Sequence, residues 1–199
     1  MTTYANVRAR VADDTQTTAM TSQISQQILL AIKHYRTFPF WFNEGSTTLS
    51  ASLAYVALPS DYVSEVALYL TESSTDRRLT RMTAEEIFTD RPSTGGRPTA
   101  YTIFGDRIEF NRSCDQVYTL PFKYIKELTV LSGDDDENEW LISGEDLIVY
   151  RAEKVLYDRV LKDKDEAARC AALEREAFNA INRYNQSRIG TGYTTGHYL

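Results

Sequence analysis

The sequence has few cysteines and no long apolar run. Cys114 and Cys170 lack CxxC spacing and cannot build a disulfide framework. The longest aliphatic run, Ile28–Ile32, is far shorter than the roughly 18–20 residues of a membrane helix. Residues 1–14 have no apolar core of a signal peptide. These absences predict a reduced, soluble, intracellular protein with no membrane partner.

The residues and motifs that most enzymes use are also scarce. The two histidines, His34 and His197, have no Cys, Asp or Glu at metal-ligand spacing on a helix face. The sequence contains no G-x-S-x-G, Walker A or G-x-G-x-x-G motif. The pair Gly95-Gly96 lacks the lysine of a phosphate-binding loop and is interpreted as a turn that Pro98 ends. We therefore predict no catalytic activity, no metal and no cofactor.

The charge balance is acidic, with 22 basic and 28 acidic side chains and a net charge of −6. A general nucleic-acid binder needs an excess of Lys and Arg, so this class is disfavoured. Five of the acids form one acidic loop: Asp134, Asp135, Asp136, Glu137 and Glu139. We expect this loop to be solvated, because burying like charges without partners is costly.

The acidic loop permits two other interpretations. Asp134, Asp136, Asn138 and Glu145 match positions 1, 3, 5 and 12 of a calcium-binding loop, but Glu139 replaces the glycine that its sharp turn requires. Paired carboxylates between residues 134 and 146 are also the residue type of a hydrolase. A solvated run does not separate two carboxyl pKa values as that chemistry needs.

Hydrophobic periodicity predicts helices at both ends of the chain. The period of 3.6 is clear over residues 22–37, where Ile24, Ile28, Ile32 and Tyr35 share one face, with Thr21 or Ser22 as the N-cap. Further helices are predicted at residues 3–12, 145–161 and 165–187, with Ser143 capping the second. The last presents Cys170, Leu173, Ala177, Ile181 and Tyr184. The aromatic run Phe38–Phe42 is expected to fill the core at a helix end.

Between these helices, residues 46–131 show the period of 2 that is typical of strands. Six strands are predicted near residues 49–55, 63–70, 77–80, 100–104, 107–110 and 117–125. Thr83 and Glu86 have the spacing of a capping box, which predicts a short helix to Phe88. The predicted fold class is α+β: a helical bundle from the N- and C-terminal helices with an inserted, mostly antiparallel sheet. It forms a single domain over residues 1–189.

Residues 190–199 are predicted to be an extended arm. Gly190, Gly192 and Gly196 oppose helix formation, and the segment contains no acidic or basic side chain except His197. Tyr193, Tyr198 and Leu199 are candidate anchors for a partner.

The middle of the chain resembles the head-to-tail adaptor (head-completion, connector) proteins of tailed bacteriophages. Six segments carry the resemblance, in order: Tyr55–Val63, Arg78–Ile87, Ser93–Tyr101, Thr102–Phe110, Tyr118–Tyr124 and Asn138–Ile148. The motif residues are Leu58, Pro59, Asp61, Tyr62, Gly96, Arg97, Pro98, Tyr101 and Trp140. The chain departs from the family at Asn111–Cys114 and at Gly144-Glu145, where prolines are common.

The resemblance implies a structural virion protein at the head-tail interface, present in the host cytoplasm during assembly. It implies a ring, usually of twelve copies, below the portal protein, which extends the DNA channel and docks tail or nozzle proteins. DNA would pass without sequence-specific binding, and the arm at residues 190–199 would dock the portal. The acidic loop would face solvent or the channel. The alternative is another tail-associated phage subunit.

Overall fold

A computed structural model describes residues 2–17, 19–89 and 91–189. The chain divides into two compact units. The helical unit takes the segments before residue 44 and after residue 127, and the β unit is Glu44–Glu127. The predicted α+β class is confirmed. The single domain over residues 1–189 stays a prediction.

The helices agree closely with the predicted segments. They are α1 (Tyr4–Asp14), α2 (Thr21–Tyr35), α3 (Ala84–Thr89), α4 (Glu139–Ile142), α5 (Glu145–Leu156) and α6 (Lys164–Ile189). A 3₁₀ turn spans Trp41–Asn43, and a π-helical turn at Tyr157–Leu161 extends α5 to the predicted boundary. Among the helices of the described residues, none has both the length and the apolar character that crossing a membrane requires.

The core of the helical unit is formed by α1, α2 and α5, with α6 packed against α5. The helix α2 buries Ile24, Ile28 and Tyr35 on one face, because these residues recur at helical spacing. Val7 and Val11 of α1 are fully buried. The aromatic residues Phe40, Phe42 and Trp140 close the core, as predicted for the segment that follows α2.

Two predicted N-caps are wrong and one capping box is confirmed. The cap position of α2 is Met20, without a side-chain cap, so Thr21 and Ser22 are already helical. Ser143 does not cap α5, because the extra turn α4 occupies the residues before it and Ser143 bonds back to Glu139. At α3, Glu86 accepts a hydrogen bond of 2.8 Å from the backbone N–H of Thr83, as predicted.

The β unit contains two four-stranded sheets where the sequence predicts one. The strands are β1 (Glu44–Ala51), β2 (Tyr55–Ala57), β3 (Tyr62–Glu72), β4 (Thr75–Arg78), β5 (Thr80–Arg81), β6 (Ala100–Phe104), β7 (Arg107–Phe110) and β8 (Tyr118–Lys126). The orders are β1-β8-β3-β4 and β2-β7-β6-β5, and among the strands of the described residues only β5 and β6 pair parallel. Leu68, Leu70, Ile108, Phe110, Leu120 and Phe122 form the core between the sheets.

The two sheets arise because two predicted strands each change sheet part way along. The predicted strand at 77–80 is broken at Leu79, which is buried and separates β4 from β5. The predicted strand at 49–55 ends at Ala51 and resumes at Tyr55 in the other sheet. Such corners let one chain segment serve two packed sheets. Leu53 and Tyr55, predicted on the buried face, are 51% and 37% exposed because they lie at or beyond the corner.

Candidate interaction surfaces

The motif Leu58–Tyr62 forms a fixed corner between β2 and β3. The N–H of Leu58 donates to the carbonyl of Asp106 at 2.9 Å, and the N–H of Tyr62 donates to the carbonyl of Pro59 at 3.1 Å. The Asp61 carboxylate accepts a hydrogen bond of 2.9 Å from the hydroxyl of Tyr124. Burial and the Asp61 contact raise the pKa of Tyr124 to about 12. The motif side chains therefore fix the backbone and do not form an open site.

The second motif, Gly96–Pro98 with Tyr101, forms a tethered loop. The N–H of Gly96 donates to the carbonyl of Ser113 at 2.8 Å. Arg97 forms a 2.6 Å ion pair with Glu72, and Pro98 is buried. Tyr101 is also buried, and burial together with Glu65 raises the pKa of its hydroxyl.

The departure from the family pattern at Asn111–Cys114 supports this tethered loop. The Asn111 side chain accepts hydrogen bonds from the N–H groups of Thr99 and Ala100, at 3.1 and 3.2 Å, and donates to the Thr99 hydroxyl. The segment that lacks the prolines is thus the one that holds the loop before β6.

Trp140, the last motif residue, belongs to the aromatic core. Its ring lies edge-to-face against Phe42 at 4.9 Å and Phe40 at 5.8 Å. The side chain of Asn185 in α6 binds the aromatic segment that follows α2. It accepts a hydrogen bond from the N–H of Trp41 and donates one to the carbonyl of Pro39. Phe38 departs from the predicted core role, since it remains 38% exposed.

The acidic loop is structured although it is largely exposed. Asp136 accepts hydrogen bonds from the N–H groups of Ser132 and Gly133, at 2.7 and 2.8 Å, which lowers its pKa. The carbonyls of Asp134 and Asp136 accept from the first N–H groups of α1. The Asp134 side chain is 74% exposed and pairs with Arg8, and Asp135 and Glu139 are exposed. That the loop faces solvent or a channel in an assembly stays a prediction.

The four residues of the calcium-like pattern do not converge on one point, because each binds a different group of the chain. Asp134 and Asp136 bind as described above, and Asn138 caps α4 by accepting from Trp140 and Leu141 N–H groups. Glu145 pairs with Arg10 at 2.7 Å. No group of three potential metal ligands occurs within residues 2–17, 19–89 and 91–189.

Two buried carboxylates in the helical unit escaped the sequence prediction. Glu174 lies between Arg151, at 3.1 Å, and Lys154, at 2.9 Å, and also accepts a hydrogen bond from Tyr35. Glu153 lies beside Cys170, with 3.7 Å between its Oε2 and the sulfur. The signal for Glu174 is its spacing, since it stands four residues after Cys170 on the buried face of α6.

The β unit exposes aromatic groups of a kind that protein interfaces use. Phe88 and Phe104 are 45% and 61% exposed, with their rings edge-to-face at 5.6 Å. Arg91 lies over Phe88, and Arg107 lies 4.6 Å above the ring of Tyr55. Exposed aromatic and arginine groups are typical anchors of protein–protein contacts.

The predicted docking arm, with Gly190, Tyr193, Tyr198 and Leu199, lies outside the described residues. His197 lies there too. His34 is described; burial and the neighbouring charge of Arg151 lower its pKa.

These features define an α+β protein whose motif residues fix its own fold and whose exposed groups suit contacts with other proteins. The family model described as SU10 adaptor protein matches residues 2–196. The chain belongs to the SU10 adaptor protein family, a family of phage head-tail adaptors, and is a structural component of the virion. No curated protein matches the chain.

Proposed function

We propose that twelve copies of this chain form a ring. The ring sits below the phage portal protein and extends the DNA channel. The ring would dock tail or nozzle proteins on its far side and would be present in the host cytoplasm during assembly. The observation that carries the proposal is the family match over residues 2–196. The function is structural and needs no catalytic residue, metal or cofactor.

The charge of the chain is compatible with a DNA channel. Each phosphate contact by Lys or Arg adds salt-dependent affinity, which would hold DNA that has to move. A chain with a net charge of −6 presents little of this attraction. DNA would therefore pass without sequence-specific binding.

The two units suggest a division of roles. In the proposed ring the helical unit is the rigid body and the β unit makes lateral contacts. The exposed Phe88 and Phe104 support this role, because aromatic side chains bury a large area at little entropic cost. Neighbours that meet only through helices would contradict it.

The arm at residues 190–199 is proposed to attach each copy to the portal. Tyr193, Tyr198 and Leu199 supply apolar contacts, and the segment has almost no charge that would favour solvation. Burial of these side chains against a partner surface would favour binding.

The test is assembly on the portal of the same phage. Purified chain and portal rings are mixed, separated by sedimentation and imaged in negative stain. The expected result is a second ring stacked coaxially on one face of the portal. Binding of single copies at the tail end alone would favour another tail-associated subunit, and no binding would reject the adaptor function.

A further inference from the structure

The β unit concentrates arginines around one cavity. Arg77 and Arg78 of β4 and Arg97 of the tethered loop line a cavity of about 250 Å³. Its apolar lining consists of Leu70, Leu79 and Pro98. We call this site the arginine pocket.

The positive charge of the arginine pocket is only partly compensated. Glu72 is shared by two arginines, with its Oε2 at 2.6 Å from Arg97 and 3.7 Å from Arg77. The side chain of Arg78 makes no ion pair or hydrogen bond with another described residue. The pocket therefore carries an excess of guanidinium over carboxylate.

A fourth arginine adjoins this site. The guanidinium of Arg112 lies so close to Gly96 that a Cβ at that position would stand 2.9 Å from Nη1. The Nε of Arg112 is buried, without a hydrogen-bond partner among the described residues. Arg112 therefore adds a further guanidinium charge close to the loop that carries Arg97.

The arginine and apolar side chains of the pocket suit a carboxylate group of a protein. Guanidinium groups bind planar oxyanions through paired N–H donors. The apolar lining suits the methylene groups of Asp and Glu side chains, and a protein partner can present such carboxylates in a fixed loop. The site is also a local exception in a chain with a net charge of −6.

The complementary surface is present in the same chain. Asp135 and Glu137 of the acidic loop form no ion pair with another described residue. The bonds from Ser132 and Gly133 to Asp136 hold this loop in one conformation, which reduces the entropy lost on binding. The loop belongs to the helical unit and the arginine pocket to the β unit.

We propose that the acidic loop of one copy binds the arginine pocket of the next copy, which replaces the expectation from the sequence that this loop faces solvent or the channel. The inference rests on the proposed ring, because head-to-tail closure requires two different, complementary surfaces on every copy. The contact would orient successive copies and would weaken as salt screens the charges.

Charge reversal tests the contact. One variant carries Arg77→Glu and Arg78→Glu, and the other carries Asp135→Lys and Glu137→Lys. Each alone is expected to lower the fraction of chain in rings on the portal about tenfold, because like charges then face each other. An equimolar mixture should restore rings, since each loop meets an oppositely charged pocket on its neighbour. A chain with both reversals should also assemble.

The matched controls are Arg183→Glu and Glu176→Lys, two exposed residues of α6 without ion pairs among the described residues. They should leave assembly unchanged. Circular dichroism checks folding, and Arg78→Gln and Asp135→Asn, which remove charge without reversing it, should show the same trend if a reversal variant unfolds.

Three results would overturn the inference. If both reversal variants form rings as the unmodified chain does, the contact does not exist, although the adaptor function stands. If the pocket variant keeps its rings but co-sediments less with double-stranded DNA, the pocket serves DNA. If the unmodified chain forms no ring, the proposed function is wrong, and the contact between copies is wrong as well.

Discussion

At the scale of single residues, the helical unit holds two buried carboxylates whose environments act in opposite directions. Burial disfavours ionisation of Glu174, but hydrogen bonds from Lys154 and Tyr35 outweigh it and lower the pKa. Glu153 forms no ion pair with another described residue: burial, together with its contact to Asp14, outweighs the charge of Arg10 and raises the pKa to about 8. Ionised and neutral carboxyls thus lie in the same core.

Glu174→Ala is expected to lower the free energy of unfolding by about 2 kcal/mol, because it leaves Arg151, Lys154 and Tyr35 without their shared acceptor. Urea unfolding at pH 7 measures the effect. Glu176→Ala, on the exposed side of α6, is the matched control and should change stability by less than about 0.5 kcal/mol. Equal effects of the two substitutions would show that the ion pairs do not stabilise the fold.

Glu153→Gln is expected to remove the part of the pH dependence of the free energy of unfolding that comes from this carboxyl group. Because the folded-state pKa is raised from 4.5 to about 8, stabilisation by neutral Glu153 is complete below pH 4.5 and is lost as pH rises towards 8. The unmodified chain should therefore lose on the order of 3 kcal/mol between pH 5 and 8 from this group. Urea unfolding at both pH values should show a smaller loss for the glutamine variant, and equal losses would contradict this origin.

At the scale of elements, Asn185 connects α6 to the aromatic segment after α2. Asn185→Ala is expected to cost about 1–2 kcal/mol, because the carbonyl of Pro39 and the N–H of Trp41 lose their partner. Hydrogen exchange should accelerate over residues 38–43 while the β unit is unchanged. Gln186→Ala, at an exposed neighbouring position, should have no such effect.

In the acidic loop, we expect that Asp136 stabilises the fold, whereas Asp135, Glu137 and Glu139 are not needed for folding. Neutralising Asp135, Glu137 and Glu139 to their amides should leave the melting temperature unchanged, because none of them forms an ion pair within the described chain. Asp136→Ala should loosen the loop, since its carboxylate accepts from Ser132 and Gly133. A large loss of stability in the triple variant would show that these charges are paired.

The element types could be predicted because they follow from local periodicity, whereas the corners could not. All six predicted strand regions contain strands, and Gly105 makes the predicted hairpin turn with a left-handed φ of +61°. The break at Leu79 has no Gly or Pro to mark it and depends on the packing of two sheets. The predicted cap of α5 failed for a similar reason, since α4 is an extra turn that capping rules do not show. The predicted caps of α2 failed because the helix already includes Thr21.

Residue roles were harder to predict than elements. The motif residues Asp61 and Gly96 were recognised by their order along the chain, but their contacts, to Tyr124 and Ser113, are 63 and 17 positions away. The arginine pocket likewise joins β4 to the loop before β6, which are separated in sequence. Sequence periodicity relates residues within one helix or strand, so it does not predict contacts between residues that are far apart in the chain.

At the scale of the whole molecule, an adaptor needs contacts of two kinds. The proposed lateral contacts between copies use the acidic loop, the arginine pocket and the exposed aromatic residues of the β unit, and an axial contact has to hold the portal. These surfaces should be separable by mutation, because they use different residues. A variant that fails in one contact should retain the other.

Truncation after Ile189 is expected to abolish portal binding while leaving the fold intact. The truncation removes the proposed anchors Tyr193, Tyr198 and Leu199 and retains every core residue of the described chain. Circular dichroism of the truncated chain should match that of the full chain, while co-sedimentation with portal rings is lost. Tyr193→Ala with Tyr198→Ala should reproduce the loss in the full-length chain, because the aromatic rings supply most of the apolar area. If the truncated chain binds the portal as well as the intact chain does, the axial contact lies outside residues 190–199.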